Sequence, residues 1–267
     1  MNVVVSARFD DPQALQIRWL QEAAGLGRVH VHLWSDELIT QVTGQPPKFP
    51  EAERRYFVEA LRWVDTVSLL AAPHDPDTLP LAARPDVWVV CERQINDAKR
   101  AFCAQHGIEC RLIPDAELAG FPLPPPPPPS GRPKVIVTGC YDWFHSGHVR
   151  FFEEASEHGE LYVVVGHDAN VRLLKGAGHP LFSEQERRYL VGAIRYVHEA
   201  LVSTGEGWMD AEPEIARLRP DIYLVNEDGD KPEKQAFCAA HGLRYVVLKR
   251  TPKEGLPRRQ STDLRGF

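Results

Sequence analysis

Two histidines, His145 and His148, stand three residues apart with Gly147 between them, just after an apolar run that ends in a turn. The β-branched run Val135–Val137 predicts a buried strand, and Thr138-Gly139 predicts the sharp turn that ends it. Neutral imidazoles can donate hydrogen bonds to phosphate oxygens, and their charge responds readily to the surroundings. The pair therefore indicates a site for a polyphosphate.

A helix must begin at this pair, because apolar residues return there at helical spacing, at Val149, Phe151, Phe152 and Ala155. Both histidines then lie at the start of a helix, just beyond the carboxyl end of a strand. The first turn of a helix offers unpaired N–H groups and positive potential to an anion. A cap or a surface position is the alternative for a single histidine, but the spacing of this pair favours phosphate binding.

Cations that could neutralise such a ligand follow later in the chain. Lys175 begins a glycine-rich stretch, 175–178, which we expect to be a mobile loop that can swing the lysine onto triphosphate oxygens. A solvated surface lysine is the alternative. Ser183–Glu186 forms a capping box, which predicts a helix that carries Arg187 and Arg195 on roughly one face. For both arginines, nucleotide binding and a structural role stay open.

Two polar stretches could complete the site. Near the end of the chain, hydroxyls and backbone amides around Arg259, Ser261 and Thr262 could hold the outer phosphates, with helix capping as the alternative. Asn226 opens the acidic stretch Asn226–Asp230, for which base or acceptor binding, Mg²⁺ binding and a plain turn all stay open.

Aromatic and acidic side chains near the first turn are candidates for contact with a second substrate. Asp142 and Trp143 lie between the predicted strand and helix, and Trp208 lies in a predicted loop. For Trp208, cover for the core is the alternative.

The segment Gly139–His148, Gly-Cys-Tyr-Asp-Trp-Phe-His-Ser-Gly-His, resembles the HxGH signature of the nucleotidyltransferase superfamily. The likeness covers about residues 133–262 and is nearest to the cytidylyltransferases of phospholipid precursors and to heptose-type adenylyltransferase domains. It implies a Rossmann-like sheet and transfer of a nucleoside monophosphate from a triphosphate, with Mg²⁺, to a phosphorylated acceptor. Pyrophosphate is the expected by-product.

On this basis we assign a role to each candidate residue. The expected catalytic residues are His145, His148 and Lys175. The expected nucleotide-binding residues are Thr138, Gly139, Cys140, Tyr141, Gly147, Arg187, Arg195, Asn226, Arg259, Ser261 and Thr262. The expected acceptor-binding residues are Asp142, Trp143 and Trp208, and no metal ligand is expected among the side chains.

The expected reaction is in-line attack by an acceptor phosphate or phosphonate on the α-phosphorus, which needs positioning and charge neutralisation and no covalent nucleophile. The phospholipid-type likeness favours CTP as the donor. The stretch 172–180 also resembles heptose-type adenylyltransferases, so ATP is the alternative. A nucleotide-binding regulatory module without turnover is the second alternative.

Bulk composition excludes several other classes of protein. A net charge of −6 and the absence of a basic tract argue against a nucleic-acid partner. The start of the chain predicts a strand and no signal peptide, and no apolar run reaches membrane-spanning length. The five cysteines are odd in number and lack CxxC spacing, which predicts reduced thiols and a cytoplasmic location.

A proline run at 122–129 predicts a stiff spacer. We therefore predict a degenerate domain at 1–121, a linker at 122–131 and a catalytic domain at 132–267. The halves align in three collinear blocks; for example, Glu53–Val64 matches Glu186–Val197 at eight of 12 positions. This repeat predicts a pseudo-dimer within the chain, with a homodimer possible.

Strands and helices alternate in both halves, which predicts two α/β domains, each a doubly wound parallel sheet. The expected strands of the second half are Val135–Val137, Leu161–Val165, Ala200–Val202, Asp221–Val225 and Tyr245–Leu248. The first half keeps this pattern without the chemistry. Gln13 and Gln16 stand at the places of His145 and His148, Leu15 stands for Gly147, and Thr43 stands for Lys175. We expect the first half to be catalytically silent.

Overall fold

A computed structural model describes residues 1–83 and 85–260 of the chain. The chain divides into two compact units, Met1–Phe121 and Pro122–Phe267. Within the described ranges, every helix is too short or too polar to cross a membrane.

The first unit is a sheet of five parallel strands with helices between them. Its strands are β1 (Asn2–Ala7), β2 (Arg28–Trp34), β3 (Thr66–Leu70), β4 (Val87–Cys91) and β5 (Glu109–Ile113). Its helices are α1 (Ala14–Leu26), α2 (Asp36–Thr43), α3 (Glu51–Glu59) and α4 (Asp97–His106), with short 3-10 turns at Leu81–Ala83 and Asp115–Leu118. The strand order is β3-β2-β1-β4-β5, with every pair parallel.

The second unit repeats this plan. Its strands are β6 (Lys134–Gly139), β7 (Glu160–Val165), β8 (Val197–Val202), β9 (Ile222–Asn226) and β10 (Arg244–Leu248). Its helices are α5 (Ser146–Glu157), α6 (Asp168–Lys175), α7 (Glu184–Gly192), α8 (Glu212–Leu218) and α9 (Pro232–Ala240), with 3-10 turns at Gly207–Met209 and Glu227–Gly229. The order β10-β9-β6-β7-β8 is again parallel throughout.

The predicted fold class is confirmed, because each unit is a parallel sheet whose strand order reverses beside its first strand. All five strands predicted for the second half are present, with bounds that differ by at most three residues. The strands were predictable because parallel strands buried on both faces form nearly continuous apolar runs. In β7, Glu160–Val165, all six residues are buried.

The central strand β6 explains where a ligand can bind. Its apolar residues Val135–Val137 are fully buried between helices. The core on one face of the sheet consists of Ile136, Val164, Ala211, Ile215, Tyr223, Val225 and Cys238. In open parallel sheets the carboxyl ends of strands beside the reversal of strand order leave a crevice, and here β6 and β9 flank it.

Candidate active site

A cleft with two lobes opens at the carboxyl edge of the second sheet. The first lobe has a volume of about 230 Å³ and runs from the turn after β6 to the ends of β9 and β10. The second lobe, of about 190 Å³, lies toward α6 and the 3-10 turn at Gly207–Met209. The two lobes share five lining residues: Thr138, Gly139, Cys140, Lys175 and Lys234.

His145 is the N-terminal cap of α5. Its Nδ1 accepts a hydrogen bond of 3.0 Å from the Gly147 N–H, so a neutral ring carries its proton on Nε2. The side chain is 4% exposed. Burial, and then the charges of Arg250 and Arg259, lower the pKa of His145 to about 4. The ring is therefore neutral at physiological pH and caps α5 beside the cleft, and its catalytic role stays a prediction.

His148 lines the first lobe and stacks on His145, with ring centroids 4.0 Å apart. Its other face packs on Phe144 at 5.4 Å, and its buried Nδ1 has no hydrogen-bond partner. Burial, followed by His145, Arg250 and Lys175, holds the pKa of His148 well below its usual value. A neutral imidazole with an unpartnered nitrogen is thus fixed beside a cavity flanked by cations.

Gly147 is required where the histidines meet the helix. A Cβ atom at this position would lie 2.8 Å from Cε1 and 2.9 Å from Nδ1 of His145. The absence of a side chain at Gly147 therefore leaves room for the capping ring of His145. The turn before it bends through Tyr141, whose φ of 54° is in the left-handed region.

Lys175 borders both lobes, but it ends helix α6 instead of lying in a loop as predicted. The helix forms here because its start is capped: the His167 side chain accepts a hydrogen bond from the Asn170 N–H. Gly176 ends it with a positive φ of 86°. The exposed lysine therefore projects from a helix terminus at the cleft.

Two cations of the cleft are missing from the sequence predictions. Arg250 lines the first lobe, forms an ion pair of 2.8 Å with Asp228 and donates to the Arg259 carbonyl at 3.1 Å. Lys234, in the first half of α9, lines both lobes. Arg250 could have been found, because it stands two residues beyond β10 at the edge where ligands bind. No motif marks Lys234.

Arg187 does not reach the cleft, which corrects its prediction as a nucleotide ligand. Its guanidinium is fully buried and donates to the carbonyls of Phe182, Cys140 and Gly166 at 2.7–2.9 Å. It also pairs with Asp168 at 2.7 Å. Arg187 therefore positions the turn at Cys140 from behind.

The same contacts occur in the first unit around Arg54. This buried arginine donates to the carbonyls of Phe49 and Arg8 at 3.0 and 2.6 Å and pairs with Asp36 at 2.7 Å. These partners stand 132 or 133 residues before Phe182, Cys140 and Asp168. A role that persists in a unit without the histidines is structural.

The prediction for Arg195 is also corrected. Arg195 is exposed in the connection between the end of α7 and Val197, the first residue of β8. The amino end of a parallel strand lies at the edge of the sheet opposite to the cleft. Its side chain is therefore too far from the cleft to bind the nucleotide.

Asp142 lies in the wall of the first lobe, but its oxygens are occupied by protein groups. They accept from the N–H groups of Leu181 and Phe182 at 2.8 and 3.1 Å and contact His179 at 3.3 Å. The predicted direct contact with an acceptor is replaced by a positioning role. Asp10 holds Lys48 and Phe49 in the same way in the first unit.

The other predicted residues are placed as follows. Thr138, Gly139, Cys140, Tyr141, Trp143, Gly147 and Asn226 line the first lobe, whereas Trp208 lines the second and is 67% exposed. Arg259 borders a small adjoining cavity of about 30 Å³ with Arg250 and Gly147. Ser261 and Thr262 lie outside the described residues.

The corresponding helix start in the first unit is capped by glutamine side chains. The side chain of Gln13 accepts from the backbone N–H of Gln16, and the Gln16 Oε1 accepts from the Gln13 N–H at 2.9 Å. This reciprocal cap satisfies donors that an anion would otherwise take. Phe9, like Tyr141, is buried and has a positive φ, and its ring stacks on Trp19.

Comparison with known proteins agrees with this geometry. A family model described as cytidylyltransferase-like matches residues 136–250. An FAD synthase of Thermococcus kodakarensis is 38% identical over 119 residues, which are 43% of this chain and 78% of that protein. An FAD synthase of Ferroglobus placidus is 38% identical over 124 residues, 45% of this chain and 78% of that protein.

The bifunctional protein HldE of Syntrophotalea carbinolica is 35% identical over 99 residues, which are 37% of this chain. The matched region spans only 20% of HldE, so the likeness to that protein concerns one part of it. All these matches cover less than half of this chain.

Proposed function

The chain belongs to the cytidylyltransferase-like nucleotidyltransferases, and we propose that its second unit transfers AMP from ATP to a phosphorylated small-molecule acceptor. Pyrophosphate is the second product. The observation that carries this proposal is His148, a half-buried neutral imidazole at the start of α5 that lines a cavity bordered by Lys175 and Arg250.

In this proposal the triphosphate occupies the first lobe. Arg250 and Lys175 line the same lobe as His148 and supply positive charge there, and the start of α5 adds the partial charge of a helix N-terminus. His148 donates a hydrogen bond to the oxygens around the α-phosphorus. Because the ring is neutral, it binds as a fixed donor and does not have to lose a proton before the reaction.

The reaction is a single displacement. An oxygen of the acceptor phosphate forms a bond to the α-phosphorus, and the bond from that phosphorus to the bridging oxygen of the β-phosphate breaks. The electron pair leaves with pyrophosphate. A phosphate monoester already carries an anionic oxygen at pH 7, so no general base is needed, and the protein contributes positioning and charge neutralisation.

The acceptor lies in the second lobe. Trp208 forms an exposed wall there, and its loop is fixed because Asn170 accepts from the Gly207 N–H at 2.7 Å and donates to the Gly207 carbonyl at 3.1 Å. Trp143 belongs to the other lobe and would contact the nucleotide side of the junction.

The similar FAD synthases support ATP as the donor, because FAD contains an adenine nucleotide. CTP is the second candidate, since the matching family model is described as cytidylyltransferase-like. Mg²⁺ enters the proposal only as an ion carried by the triphosphate. Among the residues that the structure describes, no three His, Cys, Asp or Glu side chains gather as a site for a metal.

The test is turnover with ATP or CTP against a panel of phosphomonoesters that includes glycerol 3-phosphate, ribose 5-phosphate and flavin mononucleotide. Pyrophosphate release and the mass of the product are recorded together. We expect ATP to support release with at least one acceptor and His148→Ala to remove it. Ligand-induced stabilisation by nucleotides without any product would instead identify a binding module.

A further inference from the structure

Lys234 is a cation at the junction of the two lobes that no motif marks and that the nucleotide-binding groups leave unexplained. It lies on α9, half-buried, and lines both cavities. Its Nζ contacts the Gly229 carbonyl at 3.3 Å and lies 6.0 Å from the centre of the Tyr223 ring. Among the described residues no carboxylate comes within ion-pairing distance of it, although Asp210 attracts it from farther away.

The first unit shows what this lysine does when it has a structural role. Lys99 stands 135 residues earlier, at the same place on α4, and lies 5.5 Å from the centre of the Trp88 ring. There Lys99 is buried and forms a close ion pair with Asp77. The lysine of the silent unit is therefore neutralised by protein.

The second unit has the corresponding acid but uses it differently. Asp210 stands 133 residues after Asp77, and its Oδ2 accepts from the Ser203 hydroxyl at 2.7 Å. Ser203 stands where the first unit has Leu70, which has no hydroxyl. A serine just after β8 thus holds the acid, and Lys234 lines the cleft without an ion pair to it.

A half-buried ammonium without a close ion pair is available to bind an anion. Burial lowers the pKa of Lys234, with Lys231 adding to this and Asp210, Asp228 and Asp230 opposing it. Arg250 and Lys175 account for a triphosphate in the first lobe, and Lys234, like Lys175, also lines the lobe that contains Trp208. Its position is between the two substrates.

We propose that Lys234 binds the phosphate of the acceptor and holds its attacking oxygen at the junction of the lobes. This inference rests on the proposed function and assigns a residue to acceptor specificity: an acceptor that lacks a phosphate or phosphonate leaves the ammonium unpaired and binds poorly. No bond to Lys234 is made or broken, because its charge only orients the nucleophile.

The test measures how tightly the whole chain binds inorganic phosphate, which mimics the acceptor group. Binding is measured by calorimetric titration. The protein is first saturated with adenosine 5′-(α,β-methylene)triphosphate, which fills the nucleotide groups and cannot be split. Lys234→Gln is expected to weaken phosphate binding by about tenfold or more, in line with the loss of a charge-assisted contact. Lys234→Arg should restore most of it.

Arg244→Gln is the matched control, because this exposed cation begins β10 at the opposite edge of the sheet. It should leave phosphate binding unchanged. If the Lys234→Gln variant binds the nucleotide analogue as the parent does, its cleft is intact. Phosphate binding equal to that of the parent in Lys234→Gln, or a loss of analogue binding instead, overturns the assignment. If the parent itself fails to bind the analogue, the proposed function fails.

Discussion

The rings of His145 and His148 are stacked, with centroids 4.0 Å and planes 28° apart. The Nδ1 of His145 accepts a hydrogen bond from the Gly147 N–H, whereas His148 lines the first lobe. One imidazole thus positions the other. The two histidines of the motif should therefore respond differently to substitution.

His148→Ala should lower kcat by about 10²–10³-fold, the usual effect of removing one donor to developing charge, while the melting temperature stays near that of the parent. His145→Ala should lower both, because α5 loses its cap. Steady-state kinetics and thermal unfolding measure the two effects. His106→Ala, at an exposed histidine of the first unit, is the control. Near-parental turnover in His148→Ala contradicts the assignment.

Gly147→Ala should be destabilising although alanine normally favours a helix. Its Cβ would meet the His145 ring at 2.8 Å, so the ring must leave its capping position. We expect a loss of about 1–3 kcal/mol in the free energy of unfolding, with reduced turnover. Gly25→Ala, where a Cβ meets nothing within 4 Å, should instead be neutral or stabilise by up to about 1 kcal/mol. Equal effects of both substitutions on thermal unfolding would argue against the ring contact.

Arg187→Lys should destabilise the protein by about 3 kcal/mol or more, because a lysine cannot reproduce the buried fork of hydrogen bonds. Arg54→Lys should cost a similar amount. Only Arg187→Lys is expected to lower kcat, since Arg187 holds the Cys140 carbonyl of the cleft. Thermal unfolding and kinetics compare the pair. A stable Arg187→Lys protein with a raised KM for ATP alone would show direct nucleotide contact instead.

Acidification should destabilise the fold through its buried imidazoles. Burial, and then the neighbouring His30 and His74, lower the pKa of His32 to about 4, and His145 has a pKa of about 4 as well. In the unfolded chain both imidazoles are protonated as the pH falls below about 6.5, whereas in the folded chain they stay neutral down to about pH 4. The free energy of unfolding should thus fall as the pH falls from about 6.5 to about 4, by about 1.4 kcal/mol per unit of pKa difference.

Urea unfolding at a series of pH values checks this dependence. His32→Gln should make the decline with falling pH shallower, because one of the groups is removed. A free energy of unfolding that is constant across this interval would contradict the buried neutral state of both rings.

The sheet and its crevice could be predicted from the sequence because buried parallel strands have an unambiguous apolar signature, as in Leu161–Val165. The pair of histidines was equally visible, because a strand, a turn and a helix fix its place. The direction in which a side chain points could not be predicted from the sequence. Arg187 and Arg195 look alike on a helical projection, but one is fully buried and the other lies at the far edge of the sheet.

Lys234 and Asp142 show why tertiary contacts decide the remaining roles. Lys234 and Lys99 have similar neighbours in the sequence, but their acids differ in partner. Asp77 pairs with Lys99, whereas Asp210 accepts from Ser203. Asp142 has the type of side chain expected of an acceptor ligand, but two backbone N–H groups some 40 residues away occupy it. Neither relationship is encoded in spacing along the chain.

Isotope transfer shows directly whether the protein moves the α-phosphoryl group of ATP to the acceptor. The protein is incubated with ATP labelled at the α-phosphorus or, separately, at the γ-phosphorus, together with the phosphomonoester panel. We predict that the α-label enters a diphosphate-bridged product while the γ-label leaves in pyrophosphate, and that His148→Ala slows both transfers by about 10²–10³-fold. Transfer of the γ-label to the acceptor, or nucleotide binding with neither label transferred, would contradict it.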